Sequence, residues 1–337
     1  MADSGDGSRG SESATRRPGV GMRRSLAAAI VLVLAFAPTV VSGQGGFSLM
    51  NGNLQKRVNG VLSLMQYSLF PDVTTSSLSI SSGSTGNPDL KMVQAGGGFT
   101  VSRSFPLYLE GNAAFSRYDP TFVATNGTET REVPAKWTTV TGTVGVGWDF
   151  RLIPDLVLRP IANFTMGHME SDLSAAVRII EAETGKELGF LGNGHLNAVG
   201  LGGSLMLDYE RYKKDSEIDV ELRYTNIYLQ SIPGTSEEVQ GSYLAQNINL
   251  WSRWRAPIGG LMAFHHPVRY VLEFTFSHYF GNQDDILGFN NLFSLGGGVE
   301  LDLNRYQPLY ITRVRLIARY RFGENVKGWT LGLGISF

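Results

Sequence analysis

Lys327-Gly328-Trp329-Thr330-Leu331-Gly332-Leu333-Gly334-Ile335-Ser336-Phe337 is the stretch whose reading decides the fold. Side chains of an extended strand alternate between two faces. Trp329, Leu331, Leu333, Ile335 and Phe337 therefore share one face, and Gly328, Thr330, Gly332, Gly334 and Ser336 share the other. One face is apolar and the other small and polar. A globular domain would cover the apolar face with a second layer, but the sequence offers nothing downstream to supply it. A bilayer is the alternative apolar partner, because transmembrane β-strands alternate in this way.

The rest of the chain agrees with an all-β reading. Its 337 residues include 41 Gly, 18 Phe, 13 Tyr and 5 Trp, with only 18% charged residues, a composition suited to turns and aromatic belts. A net charge of −1 gives no electrostatic reason to expect a nucleic-acid partner. The absence of Cys excludes disulfides, thiolate metal sites and a thiol nucleophile.

Arg16, Arg17, Arg23 and Arg24 precede an apolar run over 26–41 broken by Pro38, with small residues at Ser42-Gly43. The run falls short of the roughly 20 residues that a spanning helix needs. Residues 1–43 are therefore expected to be a secretory signal peptide with a disordered, Ser/Gly-rich preface, and Met22 is a candidate translation start. Residues 44–72 come next as a helical segment. Leu54, Val58, Val61, Leu62 and Met65 recur at helical spacing, with Lys56 and Arg57 opposite and Pro71 closing the run. This short amphipathic helix either packs on the end of the β-rich region downstream or plugs its lumen.

From residue 74 onward alternation replaces helical periodicity. Twelve segments of the length of tilted spanning strands can be drawn: 74–82, 91–103, 107–118, 137–151, 156–169, 196–212, 217–230, 243–256, 268–280, 291–304, 310–322 and 328–337. The first is the weakest, having only Leu78 and Ile80 as clear apolar residues, and the even strand number expected of a bacterial barrel supports it. Joins at 104–106, 153–155, 213–216 and 305–309 are short. Those at 119–136, 170–195 and 231–242 are long. Short turns and long loops alternate in outer-membrane barrels. Two joins depart from the rule: 257–267 is long where a turn is expected, and 323–327 is short where a loop is expected. The fold class is thus a transmembrane antiparallel β-barrel of about twelve strands over 73–337, preceded by a short N-terminal helix.

The faces predict a charged lumen. On the eleventh segment Tyr310, Val314, Leu316, Ala318, Tyr320 and Phe322 face outward, which turns Arg313, Arg315, Arg319 and Arg321 inward, since arginine at the lipid midplane costs about 2–4 kcal/mol. The same parity puts Asp208, Glu210, Glu217, Asp219, Glu221, Arg223, Glu273, Glu300 and Asp302 inside. Gly96, Gly98, Gly142, Gly145, Gly147, Gly200, Gly202, Gly296 and Gly298 are expected mostly inside as clearance. Aromatic girdles are expected from Tyr209, Trp254, Tyr310 and Phe337 at one end and Tyr118, Trp137, Tyr228 and Phe280 at the other. Near-balanced charge suits a salt-bridged lining better than a selective filter.

Catalytic patterns are weak, and no enzyme is expected. His168 and His195 flank a long loop, and Asp284-Asp285 near His278 is the nearest approach to a rim acid–base group. His265-His266 lack further spaced ligands, so no metal is expected, and no cofactor either. Asn126-Gly127-Thr128 and Asn163-Phe164-Thr165 match glycosylation acceptors without consequence in a bacterium. Gly-rich segments fall on strands, which excludes a phosphate-binding loop.

The terminal strand ending in Phe337 resembles the C-terminal signal of bacterial outer-membrane barrels, which the barrel-assembly machinery recognises. Together with the signal peptide, the helix around Leu54–Met65, the entry Pro71-Asp72-Val73-Thr74-Thr75 and the twelve-strand pattern, it resembles an autotransporter β-domain. That resemblance implies a Gram-negative outer-membrane location and lipid contact. Only about thirty residues separate Gln44 from the barrel, too few for a folded passenger, so a solitary autotransporter-like barrel is expected. The leading functional expectation is a non-enzymatic barrel with a largely filled lumen, meeting a surface ligand through loops 119–136 and 170–195. The alternatives are a narrow channel for small polar solutes and, third, a rim hydrolase.

Overall fold

The computed structural model describes residues 48–49, 52–64, 73–80, 88–125, 130–134, 136–172, 194–282, 286–303 and 311–336. The predicted signal peptide, Phe337, Tyr310, Met65 and Asp284-Asp285 lie outside them.

Twelve long strands run in chain order: β1 Val73–Ile80, β2 Asp89–Thr100, β3 Leu107–Tyr118, β4 Trp137–Trp148, β5 Leu156–Ser171 and β6 His195–Tyr212. They continue with β7 Glu217–Ser231, β8 Ser242–Ala263, β9 His266–Gly281, β10 Asn291–Asp302, β11 Arg313–Gly323 and β12 Val326–Ser336. Each pairs antiparallel with its sequence neighbours, and β12 returns to pair with β1, from Val326↔Ile80 to Leu333↔Val73. The sheet is a closed barrel without a free edge, which removes the hazard of unpaired strand backbone. A further short strand, Phe150–Ile153, continues β4 past Asp149 and pairs with the start of β5. Among the described residues two minor pairs stand beside the barrel, Ser48–Leu49 with Gly52–Asn53 and Thr121–Thr125 with Thr130–Pro134.

One end of the barrel carries the short turns and the other the long connections. The 257–267 departure disappears in the structure: β8 extends to Ala263 and meets β9 through a two-residue turn. Phe264 and His265 hold φ of 51° and 65°, the left-handed pair that a type I′ hairpin requires. A register shift between Pro257 and Met262, with Gly260 at φ 80°, accommodates the extra residues as a bulge. Proline cannot donate to the ladder, so Pro257 masks a strand that continues beyond it. The other departure stands. β11 and β12 are joined by Glu324-Asn325 alone.

Outside, large apolar side chains are exposed around the ring, for example Val144, Leu201 (65%), Leu295 (55%) and Leu333. A soluble monomer rarely exposes a contiguous apolar surface of more than a few hundred Å². Trp254 and Tyr270 meet edge to face at 5.3 Å near the short-turn end, and Phe280 stacks on Tyr224 at 6.1 Å near the other. Two girdle assignments need correction. Tyr118 (1% exposed) and Trp137 (0%) face inward and touch each other. Parity carries Tyr118 to the side of Ala114 and Ser116, both buried, and Trp137 to the side of Thr139. Gly142 likewise faces outward, between Val140 and Val144.

Inside the long-loop end lies α1, Leu54–Leu64. Val58, Val61 and Leu62 are fully buried in one apolar cluster whose other members come from every barrel strand except β11. The helix shares this cluster with strands all around the ring, and its Leu62 lies against Gly167 on β5. The two apolar residues of the weak first strand, Leu78 and Ile80, belong to this cluster. They face the helix, not the exterior, which is why β1 reads poorly as a lipid-facing strand. Clearance is built in: a Cβ at Gly167 on β5 would overlap the Leu62 side chain, and one at Gly60 would press on Ile286.

Candidate functional site

Below α1 the lumen is a layer of ion pairs. Glu217 (β7) accepts hydrogen bonds from Arg269 (β9) at 2.5 Å and Arg313 (β11) at 2.5 Å, and Arg255 (β8) approaches at 3.3 Å. Glu300 (β10) is fully buried and faces Arg315 at 3.1 Å, Arg255 at 3.5 Å and Arg313 at 3.7 Å. Glu273 (β9) takes Arg253 on one oxygen at 2.5 Å and Arg319 on the other at 2.6 Å. Asp219 accepts from Arg255 at 2.7 Å, and Asp302 faces Arg269 at 3.3 Å. Several of these partners stand on non-adjacent strands, so the contacts cross the interior. Buried charge is tolerated only when paired and hydrogen-bonded in this way.

A second set serves the opposite wall. Arg223 (β7) holds Glu110 (β3) through two parallel bonds of 2.6 and 2.8 Å, the planar fork geometry that favours arginine. Asn163 donates to the same carboxylate at 2.8 Å and accepts from Ser204 at 2.6 Å. Arg159 links Asp149 at 2.5 Å and Asp208 at 3.0 Å, and its guanidinium lies 3.9 Å from the Tyr108 ring centroid. Glu110, Asp149, Arg159, Asp208, Arg223 and Tyr108 border a cavity of about 860 Å³ reaching the short-turn end, where Arg103, Arg151, Pro154 and Asp155 also line it.

Most of the sequence-predicted lumen residues meet in these two sets. Arg315, Arg319, Arg321, Asp208, Asp219, Glu273, Glu300 and Asp302 are buried, and Arg313 and Arg223 are half-buried in the pairs above. Glu221 borders the cavity, while Glu210 lines it from an exposed position on β6. Trp329, Leu331, Leu333 and Ile335 form an exposed outer row. A Cβ at Gly332 would overlap the Arg319 guanidinium, so this glycine provides room for the arginine beside it.

Sequence reasoning missed Glu110, Asp149, Arg159, Arg253, Arg255 and Arg269. Their signal was parity: Arg253 and Arg255 alternate with outward Trp254, as Arg159 does with outward neighbours on β5. His278 has its Nδ1 2.9 Å from Asn291 Oδ1 and its ring stacked on Phe280, while Asp284-Asp285, the other half of the rim group, lie outside the described residues. His168 lies between Asn197 Oδ1 at 2.7 Å and Glu170 Oε1 at 3.0 Å. Among the described residues no group of three or more His, Cys, Asp or Glu could hold a metal ion.

The fold is that of a twelve-stranded antiparallel barrel with one extra short strand and an internal helix. No family model matches the sequence, and no curated protein does. Among solved structures, the β-domain of the Bordetella autotransporter BrkA aligns at 12% identity over 78% of this chain and 97% of its own, with a TM-score of 0.44. The transport unit of the autotransporter AIDA-I from Escherichia coli aligns at 14% identity over 84% and 99%, with a TM-score of 0.45. The NanC porin aligns at 8% identity over 79% and 100%, with a TM-score of 0.35. Similarities this low carry no functional inference for this chain.

Proposed function

We propose that this chain is a non-enzymatic bacterial outer-membrane barrel of the solitary autotransporter-like kind, closed at its mouth, that meets external partners through its surface loops. The observation that carries the reading is α1, whose Val58, Val61 and Leu62 are fully buried across the long-loop end. With that end facing the exterior, the loops at 119–136 and 170–195 are the parts a surface ligand reaches first, and loops on a rigid scaffold are the usual seat of recognition. The exposed apolar belt supports contact with lipid. Residues 1–43 would direct export, and the row from Trp329 to Phe337 would be read by the barrel-assembly machinery. The arginine–carboxylate layer largely fills the lumen below α1 and fixes the strands around it.

A second reading, a narrow channel for small polar solutes, draws on the cavity of about 860 Å³ at the short-turn end. Planar-bilayer recording separates the two. The closed reading expects no current steps from the intact chain, and steps from the intact chain would refute it. Deletion of 47–70 is expected to open the mouth, and continued silence after that deletion would remove the channel.

A further inference from the structure

The lumen face of β6 and β7 carries four carboxylates at adjoining positions. Pairing sets Asp208 directly opposite Glu221 and Glu210 directly opposite Asp219. Like charges directly opposite one another destabilise a strand pair. Two of the four have an arginine: Asp208 faces Arg159 at 3.0 Å, and Asp219 Oδ2 accepts from Arg255 at 2.7 Å. Both arginines are shared, Arg159 with Asp149 and Arg255 with Glu217 and Glu300. The second oxygen of Asp219, a residue only 6% exposed, is buried beside Glu210 without a hydrogen-bond partner. Glu210 and Glu221 have no arginine in ion-pair contact among the described residues.

Asp208, Glu210 and Glu221 line the cavity of about 860 Å³. Six carboxylates and four arginines line it in all, with no lysine or histidine among the described residues. Within it, Arg223 is held by Glu110, and Arg159 by Asp149 and Asp208. Arg103, Arg151 and Asp155 are exposed at the short-turn end, and no described ion pair joins either arginine to Glu210 or Glu221. Lys213 and Lys214 in the β6–β7 turn are exposed and stand outside the lining. Tyr212, 55% exposed, lines the cavity as well, with the Arg255 guanidinium 5.5 Å from its ring centroid. An aromatic face attracts cations. One wall therefore combines two carboxylates lacking a cation, a buried carboxylate oxygen lacking a donor, and an aromatic ring. A metal ion does not fit, because no three His, Cys, Asp or Glu among the described residues converge as ligands. The volume is that of a small-molecule site, about 300–1,000 Å³.

We propose that this cavity binds an organic ammonium ion, whose N–H groups donate to Glu221 and Glu210 and whose apolar part lies against Tyr212. The bound charge offsets the repulsion between the paired carboxylates of β6 and β7. The ligand enters at the short-turn end, away from α1, so the site does not depend on what the surface loops meet.

The test is isothermal titration calorimetry of the refolded full chain in a nonionic detergent at neutral pH. The probes are benzylammonium chloride, benzyl alcohol and sodium benzoate, which share a ring and differ in charge. Benzylammonium should bind with one molecule per barrel and about tenfold more tightly than benzyl alcohol, with benzoate the weakest. Glu221→Gln and Glu210→Gln should each weaken benzylammonium by about fivefold or more and leave benzyl alcohol unchanged. Asp89→Asn, which removes a carboxylate near the long-loop end, should bind all three as the unmodified chain does. Absent benzylammonium binding, equal affinity for the three probes, or an affinity unchanged in both glutamine variants overturns the proposal. The probe comparison on the unmodified chain stands without any variant, and heat-modifiable gel mobility shows that each variant is folded. Current steps in a planar bilayer would refute the closed mouth and leave this site standing, whereas equal probe affinities would remove the site and leave the closed mouth.

Discussion

The seating of α1 can be measured because the chain contains no cysteine. A single Val58→Cys substitution places the only thiol of the protein at a fully buried position on the helix face. A membrane-impermeant maleimide reaches it only when α1 leaves its seat, so the labelling rate reports the population of the unseated state. Leu62 is also fully buried and lies against Gly167 with no intervening space. Truncating such a leucine to alanine costs about 2–5 kcal/mol, because transfer energy is lost and a cavity remains. At about 1.4 kcal/mol per factor of ten, Leu62→Ala in the Val58→Cys background should speed labelling by roughly 30-fold to several thousand-fold. Lys327→Cys, exposed on β12, should label at one rate with or without Leu62→Ala. An increase at position 58 of less than about threefold would refute the claim that packing inside the ring holds the helix.

Three further outcomes rest on the same structure. Glu300→Gln leaves Arg255, Arg313 and Arg315 facing a neutral amide; removing one partner of a buried pair costs about 3–5 kcal/mol, so the urea midpoint of the refolded barrel, followed by tryptophan fluorescence, should fall, and an unchanged midpoint would contradict the network. At the hairpin tip, His265→Gly relieves a left-handed residue that costs about 1–2 kcal/mol for an L-amino acid, and the thermal midpoint should rise without loss of the fold. In the β11–β12 turn, Glu324 accepts the backbone N–H of Asn290 at 2.8 Å and of Asn291 at 3.3 Å, and also the Asn291 side-chain amide. These bonds hold its carboxyl below the usual carboxylate range, the Asn290 amide contributing most. A depressed folded-state pKa gives stabilisation that is present above the unfolded value and is lost as pH falls through the folded one. Amide-exchange protection at Asn290 and Asn291 should therefore fall on acidification below the ordinary carboxylate range, and Glu324→Gln should flatten that response.

Strand number and order were legible in the sequence because alternation is a local property, readable in any ten residues. The last stave, Trp329 to Ile335, carries it almost without interruption. Local reading failed where a longer-range partner reversed the meaning of a residue. Leu78 and Ile80 are apolar because a helix lies inside the ring, and Tyr118 and Trp137 face that helix as well. Pro257 looked like a strand end because proline cannot pair, yet the hairpin continues past it through a bulge. The candidate lumen residues could be named by parity, but their partners could not. Arg313 and Glu217 stand with three strands between them, and so do Arg223 and Glu110. Ring curvature brings them together, and no spacing along the chain encodes it.

The seam between β12 and β1 bears on how the molecule is assembled. Ser76 and Thr330 share a hydrogen bond at 3.0 Å across a sequence separation of 254 residues, whereas every other strand pair of the ring joins sequence neighbours. Loop-closure entropy and contact order both make this the slowest pairing to form. The helix that ends up enclosed precedes the first stave, on the same stretch of chain that must close the seam. Either the segment is gathered in before the ring is zipped shut, or it threads an already finished barrel against a crowded charged layer. The first order avoids that obstacle and makes the helix a template around which the last pairing is completed.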